Sequence, residues 1–148
     1  MKEIKEWFKE LSPVMQLLVA VVGLILVWYI LQYIKDFLLT YGNKVTQASE
    51  VDGLTAAGVK QTYPDTWYKT SANKLEAAMD GWITGTDDDA VFWVFNNLKN
   101  DIDYIKLDQA FGMRDNANMT DWLAGDMDSD EIATINANLL SKGMTKQI

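Results

Sequence analysis

The run from Leu11 to Ile34, LSPVMQLLVAVVGLILVWYILQYI, holds 24 residues and no charge. At about 1.5 Å rise per residue, a helix of that length reaches roughly 36 Å, enough to cross a hydrocarbon core of about 30 Å with some tilt. In lipid only a helix or a closed barrel satisfies its own backbone, and one segment can form only a helix. The run therefore predicts one membrane-spanning helix with further structure attached. A cleaved signal has an apolar region of about 7–15 residues followed by small residues at the cleavage site. Here the run ends in Trp28, Tyr29, Ile30, Leu31, Gln32 and Tyr33, so a retained anchor is expected. Trp28, Tyr29 and Tyr33 are assigned to the membrane–water interface, where amphipathic rings collect.

The residues before the span have their own pattern. Ile4, Trp7, Phe8 and Leu11 recur at i, i+3, i+4 and i+7, with Lys2, Glu3, Lys5, Glu6, Lys9 and Glu10 between them. That predicts a short helix lying in the interface over residues 1–12, with Trp7 and Phe8 dipped into lipid. Ser12 and Pro13 read as N-cap and first-turn proline of the span. Lys2, Lys5 and Lys9 precede the span and Lys35 and Lys44 follow it. The excess of cations before the span favours a cytoplasmic N-terminus.

The whole net charge of −8 falls after the span, because Lys and Glu cancel before it. Phosphate backbones are bound by Lys and Arg that neutralise them, so an acidic domain without a basic stripe excludes nucleic acid as a partner. The chain has no Cys and no His. Thiol nucleophiles, disulfides, thiolate metal sites and the usual neutral-pH general base are thereby removed. Paired carboxylates could in principle hydrolyse glycosides, but nothing in the pattern places two of them in one pocket. A non-enzymatic protein with no small-molecule substrate is expected.

The span is expected to continue to Tyr41 and stop at Gly42-Asn43, giving a membrane helix with its extension over 13–42. Residues 43–63, rich in Thr, Ala, Ser and Gly, read as a linker. From 64 to 148 the pattern is helical throughout, which predicts an all-α domain of five short helices. The first covers about 65–80, with Trp67, Leu75, Ala78 and Met79 inward. A loop with Gly81 and Gly85 follows. Thr86 is expected to cap the second helix, whose Ala90, Val91, Phe92, Trp93, Val94, Phe95 and Leu98 look apolar all round and so buried on several sides. Asn100 starts the third, which Gly112 stops. Thr120 starts a short fourth. Asp128 and Glu131 form a capping box for the fifth, ended by Lys142-Gly143, with a tail from Met144 to Ile148.

Residues 65–143 resemble a single annexin repeat, a five-helix module with a pattern like L..AM.G.GTDE..I...L. The matching residues are Leu75, Ala78, Met79, Gly81, Gly85, Thr86, Asp87, Ala90, Val91 and Val94, then Ala110 and Phe111, then Asp121, Leu123 and Asp126. The resemblance implies a calcium site for phospholipid built from Gly81, Gly85 and the carboxylate of Asp126, calcium taking six to eight oxygens. The loop departs from the family: its glycines stand farther apart than in G-x-G, and Asp80 replaces the usual lysine. The favoured expectation is that Thr86 and the glycines only cap and turn. Asp126 to Glu131 is also similar to the start of an EF-hand loop, but Glu131 stands where Gly is required and Ala137 where Glu is required.

Lone modules of this kind look similar to ones in proteins of Bacteroidota and their phages. The resemblance implies a virion membrane protein linking an internal membrane to a capsid or other assembly. Its partners would be the lipid bilayer and other proteins of that assembly. The alternatives are a calcium-dependent phospholipid-binding module and a single-span subunit of a bacterial envelope complex in the inner membrane.

Overall fold

A computed structural model of the chain describes residues 9, 11–81 and 85–148. Every named element among them is an α-helix: α1 (Pro13–Ala56), α2 (Asp65–Met79), α3 (Asp88–Asn97), α4 (Asp101–Phe111), α5 (Met119–Asp126) and α6 (Ser129–Ser141). The all-α expectation holds. The chain divides into two units, Met1–Gly42 and Asn43–Ile148. The expected interfacial helix over 1–12, with Trp7 and Phe8, lies outside the described residues apart from its last few positions.

In the first unit α1 begins at Pro13, with Ser12 turned back onto it: the Met15 amide donates to Ser12 Oγ at 3.4 Å and the Gln16 amide to the Ser12 carbonyl at 2.9 Å. The stretch Pro13–Lys35 is long and apolar enough to cross a membrane, with mean hydropathy 2.6 and none of it buried.

The helix does not stop at Gly42-Asn43, and residues 43–63 are not a linker throughout. Helix α1 runs on to Ala56. Gln47, Glu50, Val51 and Leu54 are partly buried and recur at helical spacing on one face. Gln47 Nε2 hydrogen-bonds Asp108 Oδ2 on α4, and Glu50 pairs with Lys146 at 2.6 Å. These contacts outweigh the cost of about 1 kcal/mol for each of Gly42 and Gly53 inside a helix. The true stop is Gly58, with φ +89. The Val59 amide donates to the Leu54 carbonyl and the Gly58 amide to that of Thr55, both at 3.0 Å, which is a Schellman cap.

In the second unit five helices follow, as the sequence pattern indicates. Tyr63 and Tyr68 meet edge to face at 6.3 Å across the start of α2, an aromatic staple around Pro64. The core joins Tyr68, Ala72 and Leu75 of α2 to Val91, Val94 and Phe95 of α3, Leu107 and Phe111 of α4, Leu123 of α5, and Ile135 and Leu139 of α6. Helix α3 is not buried all round: Phe95 is 1% exposed but Trp93 is 47% exposed. Ten residues of helix offer their inner face to the core, and Trp93 falls on the outer face beneath Lys74, whose Nζ lies 5.1 Å from the ring centroid.

Two caps differ from expectation. Asp87, not Thr86, caps α3 by accepting the Ala90 amide at 3.0 Å. Asn118, not Thr120, caps α5 in a reciprocal box with Asp121. Asn100, Asp128 with Glu131, Gly112 and Lys142-Gly143 act as the sequence indicates. The tail is not free. Met144 is buried on Leu139, Asp101 accepts from Thr145 and Lys146, and the Ile148 amide donates to Asn136 Oδ1 at 2.9 Å.

Candidate functional site

Two regions carry the residues singled out from the sequence. The first is the apolar stretch of α1. Trp28, Tyr29 and Tyr33 lie in its C-terminal half, each more than half exposed. Trp28 and Tyr29 meet edge to face at 5.2 Å. Lys35 follows two residues after Tyr33. An apolar surface capped by aromatic rings and then a cation is the order of groups met on leaving a bilayer core.

The second is a cleft of about 410 Å³ at the end of α2, where Gly81 and Asp126 come together with Asp80, Asp115 and Asp121 around Met79 and Trp122. Gly85 does not line it. The Gly85 amide closes back onto the Gly81 carbonyl at 2.9 Å, with φ +77 at Gly85. Residues 82–84, the rest of that loop, lie outside the described residues. Partial burial pushes the Asp126 carboxyl above its ordinary pKa. Thr86 Oγ1 donates to the Asp126 carbonyl at 3.1 Å, so this threonine ties the loop to the end of α5. Asp121 is engaged at the N-cap of its own helix, accepting the Asn118 amide at 3.2 Å.

The cleft is acidic, yet its acids do not converge. No group of three or more carboxylates among the described residues could hold a metal ion. Calcium requires six to eight oxygens at about 2.3–2.6 Å. The described carboxylates alone do not form such a shell.

Sequence reasoning missed three polar side chains that organise the domain. Asp103 is fully buried; it accepts from the Thr62 amide at 2.8 Å, the Lys99 amide at 3.0 Å and the Tyr68 hydroxyl at 2.6 Å. Asp101 holds the tail as described above. Arg114 pairs with Glu76, donates from Nη2 to Asn73 at 3.0 Å and lies over the Phe111 ring, and its carbonyl accepts the Trp122 indole N–H at 2.9 Å. Arg114 thus ties α2, α4 and α5 together. Its position follows from a tight turn at Asp115 and Asn116, both with positive φ, closed by two 2.9 Å bonds between Arg114 and Ala117. The Asp-Asn pair is the available sequence signal, since these residues tolerate that conformation better than other side chains.

Comparison with protein-family models, with curated proteins and with solved structures gives no match to this chain. The likeness to an annexin repeat therefore rests on the residues quoted above.

Proposed function

We propose that this chain is a non-enzymatic, single-pass membrane protein that anchors an acidic helical domain for contact with other proteins of a large assembly. One observation carries the reading: Pro13–Lys35 is long and apolar enough to cross a membrane and none of it is buried, while the unit from Asn43 to Ile148 has its own core. A soluble protein would bury such a helix. The two buried acids, Asp101 and Asp103, support a structural role, because backbone and hydroxyl donors already occupy their carboxylates.

The setting that the resemblance favours is the virion of a membrane-containing phage, the chain linking an internal membrane to the capsid. A bacterial envelope complex is the competing setting. Carbonate and high-salt washing of membranes tests the anchor: the chain should stay in the pellet and leave only with detergent. Release by salt alone would refute the anchor. Fractionation then tests the setting, by locating the chain in purified particles or in the bacterial inner membrane.

A second reading, a calcium-dependent phospholipid contact, is favoured by one fact, that Gly81 and Asp126 share a cleft. Liposome co-sedimentation of the domain across a calcium titration tests it. Calcium-dependent binding that Asp126→Ala abolishes would establish that reading; binding independent of calcium would exclude it.

A further inference from the structure

We infer that a groove between the end of α1 and α4 binds one anionic phospholipid, with the acyl chain in the groove and the headgroup on Lys60 and Lys106. The inference rests on the reading of Pro13–Lys35 as a membrane anchor, which brings the chain to lipid.

The groove measures about 410 Å³, within the range of about 300–1,000 Å³ usual for small-molecule sites. Val51, Val59 and Ile102 give it apolar walls, and Lys60 and Lys106 line it as well. Lys106 is shared with a second cavity of about 160 Å³ that Lys69 also lines. Three of the nine basic residues of the unit from Asn43 to Ile148 therefore line these two cavities, although that unit holds seventeen acids. Among the described residues the ion pairs are Arg114–Glu76 and Lys146–Glu50, and none involves Lys60, Lys69 or Lys106. Asp65 is the one acid lining the smaller cavity, and no acid lines the groove itself.

The polar groups of the wall select the kind of occupant. Thr55 Oγ1 already donates to the Val51 carbonyl at 2.7 Å. Gln61 Nε2 already donates to the Tyr63 carbonyl at 3.1 Å. A bound polypeptide would bring a backbone donor and acceptor at every residue, and each would need a partner. These walls have few to spare. A ligand with an apolar body and one anionic end needs only the walls and the ammonium groups, which is the chemistry of an anionic phospholipid. The lysine stems also add apolar surface beneath the headgroup.

The test uses the full chain in nonionic detergent micelles. These carry phosphatidylglycerol or phosphatidylcholine with a photoreactive diazirine on the acyl chain, and labelled peptides are mapped after illumination. Phosphatidylglycerol should label the segments around Val51–Val59 and Ile102 in addition to 13–35, whereas phosphatidylcholine should label 13–35 alone. Lys60→Glu combined with Lys106→Glu should lower groove labelling about tenfold, the effect of 1.4 kcal/mol of binding free energy. Thr55→Trp, which fills the groove without changing charge, should lower it comparably. Groove labelling that is absent, equal for the two lipids or unchanged in both variants would overturn the inference while leaving the anchor intact. Absence of label from 13–35 would instead refute the anchor. Binding of a synthetic Glu/Leu peptide to the groove, with no lipid label there, would assign the site to a protein segment and overturn the inference.

Discussion

The Tyr68 hydroxyl donates to Asp103 Oδ1 at 2.6 Å, joining α2 to α4 across 35 residues of sequence. Both side chains are buried, and the Tyr68 hydroxyl also accepts the Tyr63 amide at 3.3 Å. Burial, first, and the bond to Asp103, second, push the Tyr68 hydroxyl far above its ordinary pKa, so it remains a donor at any working pH. A hydrogen bond to a charged group contributes about 1.5–3 kcal/mol, and Tyr68→Phe should destabilise the 43–148 unit by about that amount. Asp103→Ala should cost more, because it orphans the Thr62 and Lys99 amides as well. Thermal circular dichroism of both variants checks the order; equal losses would show that the backbone donors find water.

The contrast between Phe95 and Trp93 gives a second prediction. Phe95→Ala empties a buried site and should cost about 3–5 kcal/mol. Trp93→Ala removes a half-exposed ring and its contacts with Lys74 and Trp67, a loss of about 1–2 kcal/mol. A domain of this size has about 5–15 kcal/mol in all, so only the first variant should approach unfolding near room temperature. Chemical denaturation of the 43–148 unit measures both. A Trp93→Ala penalty as large as that of Phe95→Ala would contradict the exposure of the outer face of α3.

Features that depend on near neighbours in the chain are legible in the sequence. The charge-free run marks the apolar helix, and Asn100, Gly112, Asp128 with Glu131, and Gly143 mark helix ends, because each acts on a backbone within four residues of itself. Features that depend on distant groups are not legible. Gly42-Asn43 looks like a stop only until Gln47 and Glu50 find Asp108 and Lys146, far away in sequence. The apolar run in α3 does not disclose which face the rest of the domain covers. Asp103 and Arg114 look like ordinary surface charges until folding brings Tyr68 and Glu76 to them. Of the candidate loop site, Gly81 and Asp126 share a cleft with carboxylates from distant parts of the chain, and their scatter is not legible.

The glycines near the end of α1 should respond to substitution with opposite signs. Gly53 lies inside the helix, and a Cβ there would meet nothing within 4 Å. Gly53→Ala should stabilise the 43–148 unit by about 0.8–1 kcal/mol through helix propensity. Gly58 has φ +89, and although its surroundings are open, a side chain there is strained. Gly58→Ala should cost about 1–2 kcal/mol. Gly42→Ala in the full chain should likewise raise helicity. A loss of helicity at Gly42→Ala would restore the stop at Gly42-Asn43.

Asp108 makes stability depend on pH. Burial pushes its carboxyl above the ordinary range, while Gln47 and Lys146 oppose the shift without cancelling it. Nearby Tyr104, buried and raised to about 12, stays neutral and adds no charge that could offset the shift. An acid whose folded pKa is raised binds its proton more tightly in the folded state than in the unfolded state. Its contribution is fully present below the unfolded value of about 3.9 and is lost as pH rises through the folded value. Asp108→Asn cannot ionise and keeps a side-chain carbonyl that can accept from Gln47. The variant should therefore gain on the parent as pH rises from below the unfolded carboxyl value of about 3.9 through the raised folded one. Melting temperatures of the two proteins across that range, at constant ionic strength, test the sign. A difference that stays flat, or that favours the parent increasingly toward neutral pH, would mean that attraction to Lys146 outweighs the burial of the carboxylate.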